Sequence, residues 1–439
     1  MDPTTILRGL FGLAFVVGIA VIASTDRRKI PWKMVLTGII LQFIFAFFVL
    51  KTTIGREIFG GISRLFVALL AFTLEGAQFV FGPLATGPEV TGSLGFFFAF
   101  QVLPTIIFFA SLMAVLYHWG IMQRIVQGIA WVMARVLGTS GAESLSVAAN
   151  VFIGQTEAPL VVRPYIATMT QSELLTMMIG GMAHIAGGVM AAYVQMLGVA
   201  YAKAQGWELS TAQVQFAGHL LAASVMSAPA TMIIAKVLIP ETGNPLTKGD
   251  VRLKIERQHS NVIEAAASGA ADGVRLAINV AGMLLAFIAL IALINAILAA
   301  VGSATGLSAL CSQYFGKPLS LELLFGIVLQ FVAFAIGVPW HDALNVGSLM
   351  GIKLVLNEFV AYSRLADIIP THQLSDKAIT ISTYALCGFA NFSSIAIQIG
   401  GISPLAENRR TDIARLGLKA VLGGTIATWM TATIAGMLL

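Results

Sequence analysis

Apolar runs long enough to cross a bilayer recur along this chain, with polar residues gathered between them. A helix needs about 20 such residues to span roughly 30 Å of hydrocarbon. Runs of that kind lie at 8–24, 34–50, 95–118, 173–200, 211–238, 274–300, 377–402 and 418–438. The expected fold is an all-α integral membrane protein with eight transmembrane helices. Between the second and third runs, "REIFGGISRLFVALLAFTLEGAQF" carries Arg56, Arg64 and Glu75. That punctuation predicts an amphipathic helix lying along the interface. The stretch 259–273 reads as another.

Two regions do not behave as spans. In 139–170, "ESLSVAANVFIG" rises, "QTEA" turns and "PLVVRPYIATM" returns. Each arm has about a dozen residues, roughly 18 Å of helix, little more than half a bilayer. In 320–362, "LELLFGIVLQFVAFAIG" precedes "VPWHD" and "ALNVGSLMGIKLVLNEFVAY" follows it. Its longer arms admit two full crossings as well. The preferred reading is a pair of re-entrant hairpins, the second with its tip at "VPWHD". Each hairpin is followed by an apolar helix with a small or polar interruption, "GGMAHIAGG" (180–188) and "CGFANFSSIA" (387–396). Paired interruptions in corresponding halves point to inverted repeats meeting at the membrane midplane. The chain then divides into 1–135 (first spans and interfacial helix), 136–240 (first hairpin and broken helix), 241–310 (loop, interfacial helix and span) and 311–439 (second hairpin, broken helix and last span).

Composition supports the membrane reading. The chain is 57% hydrophobic and 11% charged, with a mean hydropathy of +0.87, where a soluble domain has roughly 25% charged residues. The net charge of +5 serves topology. Basic clusters at Arg27, Arg28, Lys29 and Lys33, at Lys248, Arg252, Lys254 and Arg257, and at Arg409, Arg410, Arg415 and Lys419 fall on one side of the eight spans. That is the cytoplasmic side, and both termini face outward. The N-terminal stretch, with an acid before Arg8, reads as a retained first span rather than a cleaved signal. No basic run with interleaved aromatics suggests nucleic-acid binding. Cys311 and Cys387, without CxxC partners, read as buried free thiols.

The chemistry gathers at the interruptions. A carboxylate near the bilayer centre costs about 3 kcal/mol on insertion scales, so an intramembrane acid marks a functional site. Glu157 is such an acid; an ion pair with Arg163 is the competing reading. Gln155 and Thr156 beside it suit the polar edge of a heterocycle. Asp342, next to Trp340 and His341, supplies a second acid suited to a vicinal diol. Asn391 and Ser394 add neutral polar groups, and Phe389 an apolar wall. His184 could bind a cation, relay a proton or bond across helices. The histidines at 118, 219, 259 and 372 carry no clear signal.

"GIKLVLNEFVAY" (351–362) matches the G-x-K-x3-N-E-F-V-A pattern of the concentrative nucleoside transporter family, and "GQTEAPLVVRP" and "GFANFSSIAI" resemble its other two motifs in the right order. The chain is similar to the short bacterial members over nearly its whole length. The resemblance implies a homotrimer in the bacterial cytoplasmic membrane, with no resident cofactor. The third and sixth spans would belong to a fixed scaffold, and the hairpins and broken helices to a domain that slides as an elevator. Gln155, Thr156 and Glu157 would hold the nucleobase, with Val189 against it; Asp342, Asn391 and Ser394 would hold the ribose, with Phe389 alongside. Sodium, the coupling ion, would be bound by Asn150, the carbonyls of Ile153 and Ile185, and position 184. Two departures stand out: Asp342 replaces the family's Glu, and His184 replaces a hydroxyl residue, although hard cations prefer oxygen. Sodium-coupled uptake of nucleosides such as uridine is the expected function, with proton coupling the alternative. An intramembrane hydrolase, for which no GxSxG elbow is present, and a passive channel are the competing classes.

Overall fold

The structure, a computed structural model, describes residues 3–86, 94–249 and 259–439. The chain opens with α1 (Pro3–Ile22), α2 (Trp32–Lys51), α3 (Thr53–Phe81) and α4 (Phe98–Gln101), which leads into α5 (Leu103–His118). Next come α6 (Ile121–Leu137), α7 (Gly141–Asn150), a turn at 151–157, α8 (Ala158–Val161) and α9 (Arg163–Ile166). A span broken at 184–186 follows as α10 (Gln171–Ala183) and α11 (Gly187–Gln205), then α12 (Leu209–Leu238). The second half contains α13 (Val262–Thr305), α14 (Leu307–Phe315), α15 (Leu321–Ala335), α16 (Trp340–Val355) and α17 (Glu358–Ile368). It ends with α18 (Asp376–Leu386), α19 (Phe392–Ile402) and α20 (Arg410–Leu438).

Hydrogen bonds between distant segments fix which ends share a face. The backbone N–H of Thr25 donates to Leu238 O at 3.0 Å, and that of Gly141 to Thr247 O at 2.9 Å. Ser172 Oγ donates to Ile239 O at 2.7 Å, and Arg409 donates to Met169 O. The ends of α1 and α12, the base of the first hairpin and the start of α20 therefore lie together. This basic face carries Arg27, Arg28, Lys29, Lys248, Arg409 and Arg410, while Arg252, Lys254 and Arg257 lie outside the described residues. On the opposite face, Arg8 near the start of α1 donates to Phe334 O at 2.7 Å and to Val338 O. There too, Tyr201 Oη donates to Asp376 at 3.0 Å. The first hairpin thus enters from the basic face and the second from the opposite one.

The same accounting assigns α3. By length and composition alone it is one of eight helices able to cross. α5 already carries the chain from the far end of α2 to the base of the first hairpin. A crossing by α3 would therefore require α6 to cross too. α6 has 17 residues, including Gln123, Arg124, Gln127 and Arg135, and is not among the helices apolar enough to span. So α3 lies along the surface, as the sequence suggests, and among the described residues the eight crossings are α1, α2, α5, α10–α11, α12, α13, α18–α19 and α20. The reading of 259–273 is corrected: residues from Val262 on are the first turns of the 44-residue α13. A Cβ at Gly273 would sit 2.6 Å from Ile107 Cα, and one at Gly269 2.7 Å from Ala110 O. Glycine there lets α13 pack closely on α5. Of the two thiols, Cys387 is buried and Cys311 partly exposed.

The second hairpin is also shifted from its expected place. α15 and α16 are bent by 118° at the Gly337–Pro339 break, but the turn at the hairpin tip is Leu356–Asn357, between α16 and α17. Both sites carry helix-start signals: Pro339 precedes Trp340, and Asn357 Oδ1 accepts from Val360 N at 2.9 Å, a side-chain N-cap. Asp342 is consequently the third residue of α16, at the hairpin base. Its Oδ2 accepts from Ser375 Oγ at 2.6 Å and lies 3.3 Å from His341 Nε2. Glu143, third in α7, sits at the corresponding place in the first hairpin and pairs with buried Lys236 at 2.7 Å. Both acids anchor hairpin bases.

The two helix breaks press against each other. Gly388 has φ +142°, and a Cβ there would lie 2.8 Å from Met182 O and 2.9 Å from Ala183 C. Gly388→Ala should therefore destabilise the protein by about 1–3 kcal/mol through strained backbone alone, read as a lower melting temperature in detergent. Lys236→Met strands the buried Glu143 carboxylate and should cost about 3–5 kcal/mol in the same assay.

Candidate functional site

Between the hairpin tips, the helix breaks and the α5–α13 pair lies a cavity of about 780 Å³. Its geometry begins at the first break. His184 and Ala186 are extended (φ −116°, ψ 167° and φ −69°, ψ 145°), which ends α10 and exposes backbone groups that lipid cannot satisfy. The first hairpin tip supplies partners. Gly187 N–H donates to Phe152 O at 3.0 Å, and Ser224 Oγ of α12 donates to Val151 O at 2.8 Å. This seam presents Gln155, Thr156 and Glu157 to the cavity. Gln155 Nε2 donates to Ser394 Oγ at 3.2 Å, and its buried Oε1 has no partner. Glu157 is exposed to the cavity. Arg163 also lines the space, but no ion pair joins the two among the described residues.

At the second break, Asn391 caps α19: its Oδ1 accepts from Ser394 N at 2.9 Å. Asn391 Nδ2 donates to Glu358 Oε2 at 3.0 Å, while Tyr193 Oη donates to Glu358 Oε1 at 3.2 Å. Two neutral donors from two different helices thus orient a buried carboxylate on the cavity wall. Val189 and Phe389 form apolar wall. The cavity reaches the basic face, where Tyr117, His118, His259 and Asp272 line it.

Of the residues expected at a substrate site, Gln155, Thr156, Glu157, Val189, Phe389, Asn391 and Ser394 all line this one cavity. Asp342 does not; it stands at the hairpin base. The acid on the second tip is Glu358, within the quoted "NEF" motif, so no aspartate replaces a glutamate there. The available signal was the Asn–Glu pair opening a helix after a break, an N-cap followed by an acid in the first turn. Tyr193, mid-helix on α11, carried none.

The residues expected around a cation lie behind the first tip. Ile153 lines the cavity, whereas Asn150, His184 and Ile185 are each 1% exposed. Asn150 Nδ2 donates to Ser146 O at 2.9 Å, leaving Oδ1 buried and unpartnered. His184 Nδ1 bonds Gly180 O at 2.8 Å, and its Nε2 is likewise without a partner. Because a carbonyl only accepts, Nδ1 carries a proton, and Nε2 of the neutral ring is an acceptor. Asn150 Oδ1 and His184 Nε2 are thus two buried acceptors left without partners, one at the end of the first hairpin's entering arm and one in the first break.

Comparisons with known proteins agree along the chain. Models described as the N-terminus and C-terminus of Na+ dependent nucleoside transporters match residues 11–84 and 219–436, and one described as nucleoside recognition matches 99–200. The uncharacterized transporter YutK of Bacillus subtilis is 45% identical over 433 residues, covering 98% of this chain and 99% of the relative. The nucleoside permease NupC of Helicobacter pylori is 39% identical, covering 98% and 97%. The solved structure of the transporter CNTnw in an inward-facing substrate-bound state superposes with a TM-score of 0.85 at 44% identity, covering 99% of this chain and 98% of that one. A doubly substituted CNTnw in an outward-facing state gives 0.88 at 43%, covering 100% and 99%. On this evidence the chain belongs to the concentrative, Na+ dependent nucleoside transporter family: it is a multi-pass membrane transporter and not an enzyme.

Proposed function

We propose that this protein takes up nucleosides such as uridine across the bacterial cytoplasmic membrane, driven by the sodium gradient. The observation that carries the reading is the meeting of two opposed hairpin tips and two helix breaks on one cavity, with Glu157 and Glu358 both on its wall. Gln155, Thr156 and Glu157 take the base, whose edge offers both donors and acceptors. Glu358, held by Tyr193 and Asn391, accepts hydrogen bonds from the ribose hydroxyls, while Ser394 adds a neutral contact. Val189 and Phe389 cover the apolar faces.

Sodium binds behind the first tip, to Asn150 Oδ1 and the carbonyls of Ile153 and Ile185, with position 184 at its edge. Because the base contacts and Asn150 belong to one short segment, an ion that orders the tip raises nucleoside affinity. By linkage, nucleoside raises ion affinity by the same factor. The hairpins and broken helices, within 136–240 and 311–439, move as an elevator against a scaffold that includes α5 and α13, and the protein assembles as a homotrimer. A second reading, proton coupling, rests on the unpartnered His184 Nε2.

Radiolabelled uridine uptake into proteoliposomes, with sodium and proton gradients imposed separately, tests the assignment. Accumulation is expected with sodium alone; accumulation with protons alone transfers the coupling role to His184. Glu157→Gln and Glu358→Gln should each lower uptake roughly tenfold or more, since each removes a charged hydrogen-bond acceptor. Asp342→Asn should keep uridine affinity near wild type and lower thermal stability. Loss of uridine binding in a folded Asp342→Asn protein would return the ribose site to that residue.

A further inference from the structure

Lys353 is a buried cation that the transport site does not use. It is the third residue from the end of α16, the entering arm of the second hairpin, and is 3% exposed. Its Nζ donates to Ala385 O at 2.9 Å and to Thr428 Oγ1 of α20 at 3.2 Å. No carboxylate lies within 4.0 Å of it among the described residues. The Glu358 carboxylate acts on it from beyond that distance, and a buried charge without a contacting counter-charge is costly, so a specific partner must hold it. That partner is the C-terminus of α18, where the helix stops in mid-membrane. The neighbouring carbonyls there are already taken: Thr383 O by Tyr362 Oη at 2.7 Å and Tyr384 O by Cys387 N at 3.2 Å. The negative end of a half-helix favours a positive charge.

The first repeat has the complementary arrangement. α7 is the entering arm there, and its last residue is Asn150, which sits against the end of α10: a Cβ on Gly180 would lie 3.1 Å from Asn150 Nδ2. Asn150 Oδ1 is a buried acceptor without a partner, and the helix that Asn150 packs against ends in carbonyl acceptors of its own. One repeat leaves a place for a cation, and the other fills the equivalent place with a side chain. We infer that Lys353 is a tethered cation which holds the second helix break in its binding geometry, doing there what the transported ion does at the first. This rests on the assignment of the coupling ion to the first break. Lys353 would act on substrate through α18 and the Gly388–Asn391 break, as a positioning residue. It would also limit coupling to a single transported ion per nucleoside.

The test compares Lys353→Gln, Lys353→Arg and Lys353→Ala with the wild type in proteoliposomes, with melting temperature as the folding control. Lys353→Gln should weaken uridine affinity roughly tenfold or more, and Lys353→Arg should stay within a few-fold of wild type, because the charged hydrogen bond is what matters. In Lys353→Ala the vacated space should let sodium restore affinity, with the sodium dependence steepening from a slope of about one toward about two. Wild-type affinity in folded Lys353→Gln, or equal impairment in Lys353→Arg and Lys353→Gln, overturns the inference. So does a wild-type flux ratio of two sodium ions per uridine, which needs no variant to fold. Wild-type uptake indifferent to every cation gradient would defeat the assignment at the first break instead, and the comparison of uridine affinities at Lys353 would still decide the second.

Discussion

A helix that stops inside a membrane leaves carbonyl and N–H groups that hydrocarbon cannot satisfy, and each such group costs several kcal/mol unless the protein supplies a partner. Two of the spans stop in this way, after Ala183 and after Leu386, and much of the architecture answers them. The hairpins reach half-way into the bilayer and bring partners to the breaks: Phe152 O for Gly187 N–H, Lys353 for Ala385 O. Gln398 Nε2, from α19, bonds Met178 O of α10 at 2.9 Å, tying one broken helix to the other. The partners run out at Asn150 Oδ1 and His184 Nε2, which stay buried without a hydrogen-bond partner.

The hairpins are held at their bases and left free at their tips. Glu143 with Lys236, and Asp342 with Ser375, place the strongest polar contacts where each arm enters the membrane. The tips carry neutral bonds such as Gln155 to Ser394, which exchange for water or ligand at little net cost. Strong bases and weak tips suit a site that must open without losing its frame. Glu358 departs from this pattern. It is on a tip, yet two donors from α11 and α19 orient it, so one side of the cavity is prepared while Glu157 opposite remains exposed.

The legible part of the fold was that written in long apolar runs and in charge. Eight crossings, the surface position of α3 and the first hairpin were readable because length and parity constrain them tightly. The second hairpin was misplaced because Pro339 and Asn357 both open helices, and a sequence signal for a helix start does not say how deep in the membrane the start lies. Asp342 reads as the tip acid from sequence for the same reason. An acid after a proline break and an acid after an asparagine cap look equivalent until contacts assign one to the base and the other to the tip. The start of α13 was mistaken for an interfacial piece because its small and polar residues, among them Ser268, Gly269 and Asp272, dilute the apolar run. Those same residues pack on α5 or line the cavity. Tyr193 gave no warning at all, since a tyrosine in an apolar helix is ordinary packing until a carboxylate is found beside it.

The length of α13 has a further consequence. Its 44 residues extend about 66 Å, roughly twice the hydrocarbon thickness. Such a helix must protrude, incline steeply, or both, and its inclination responds to the bilayer around it. Leu276, Val280 and Leu284 of this helix form part of the cavity wall. A change in the inclination of α13 would move this wall, so the form of the cavity is joined to how the longest helix among the described residues stands in the bilayer.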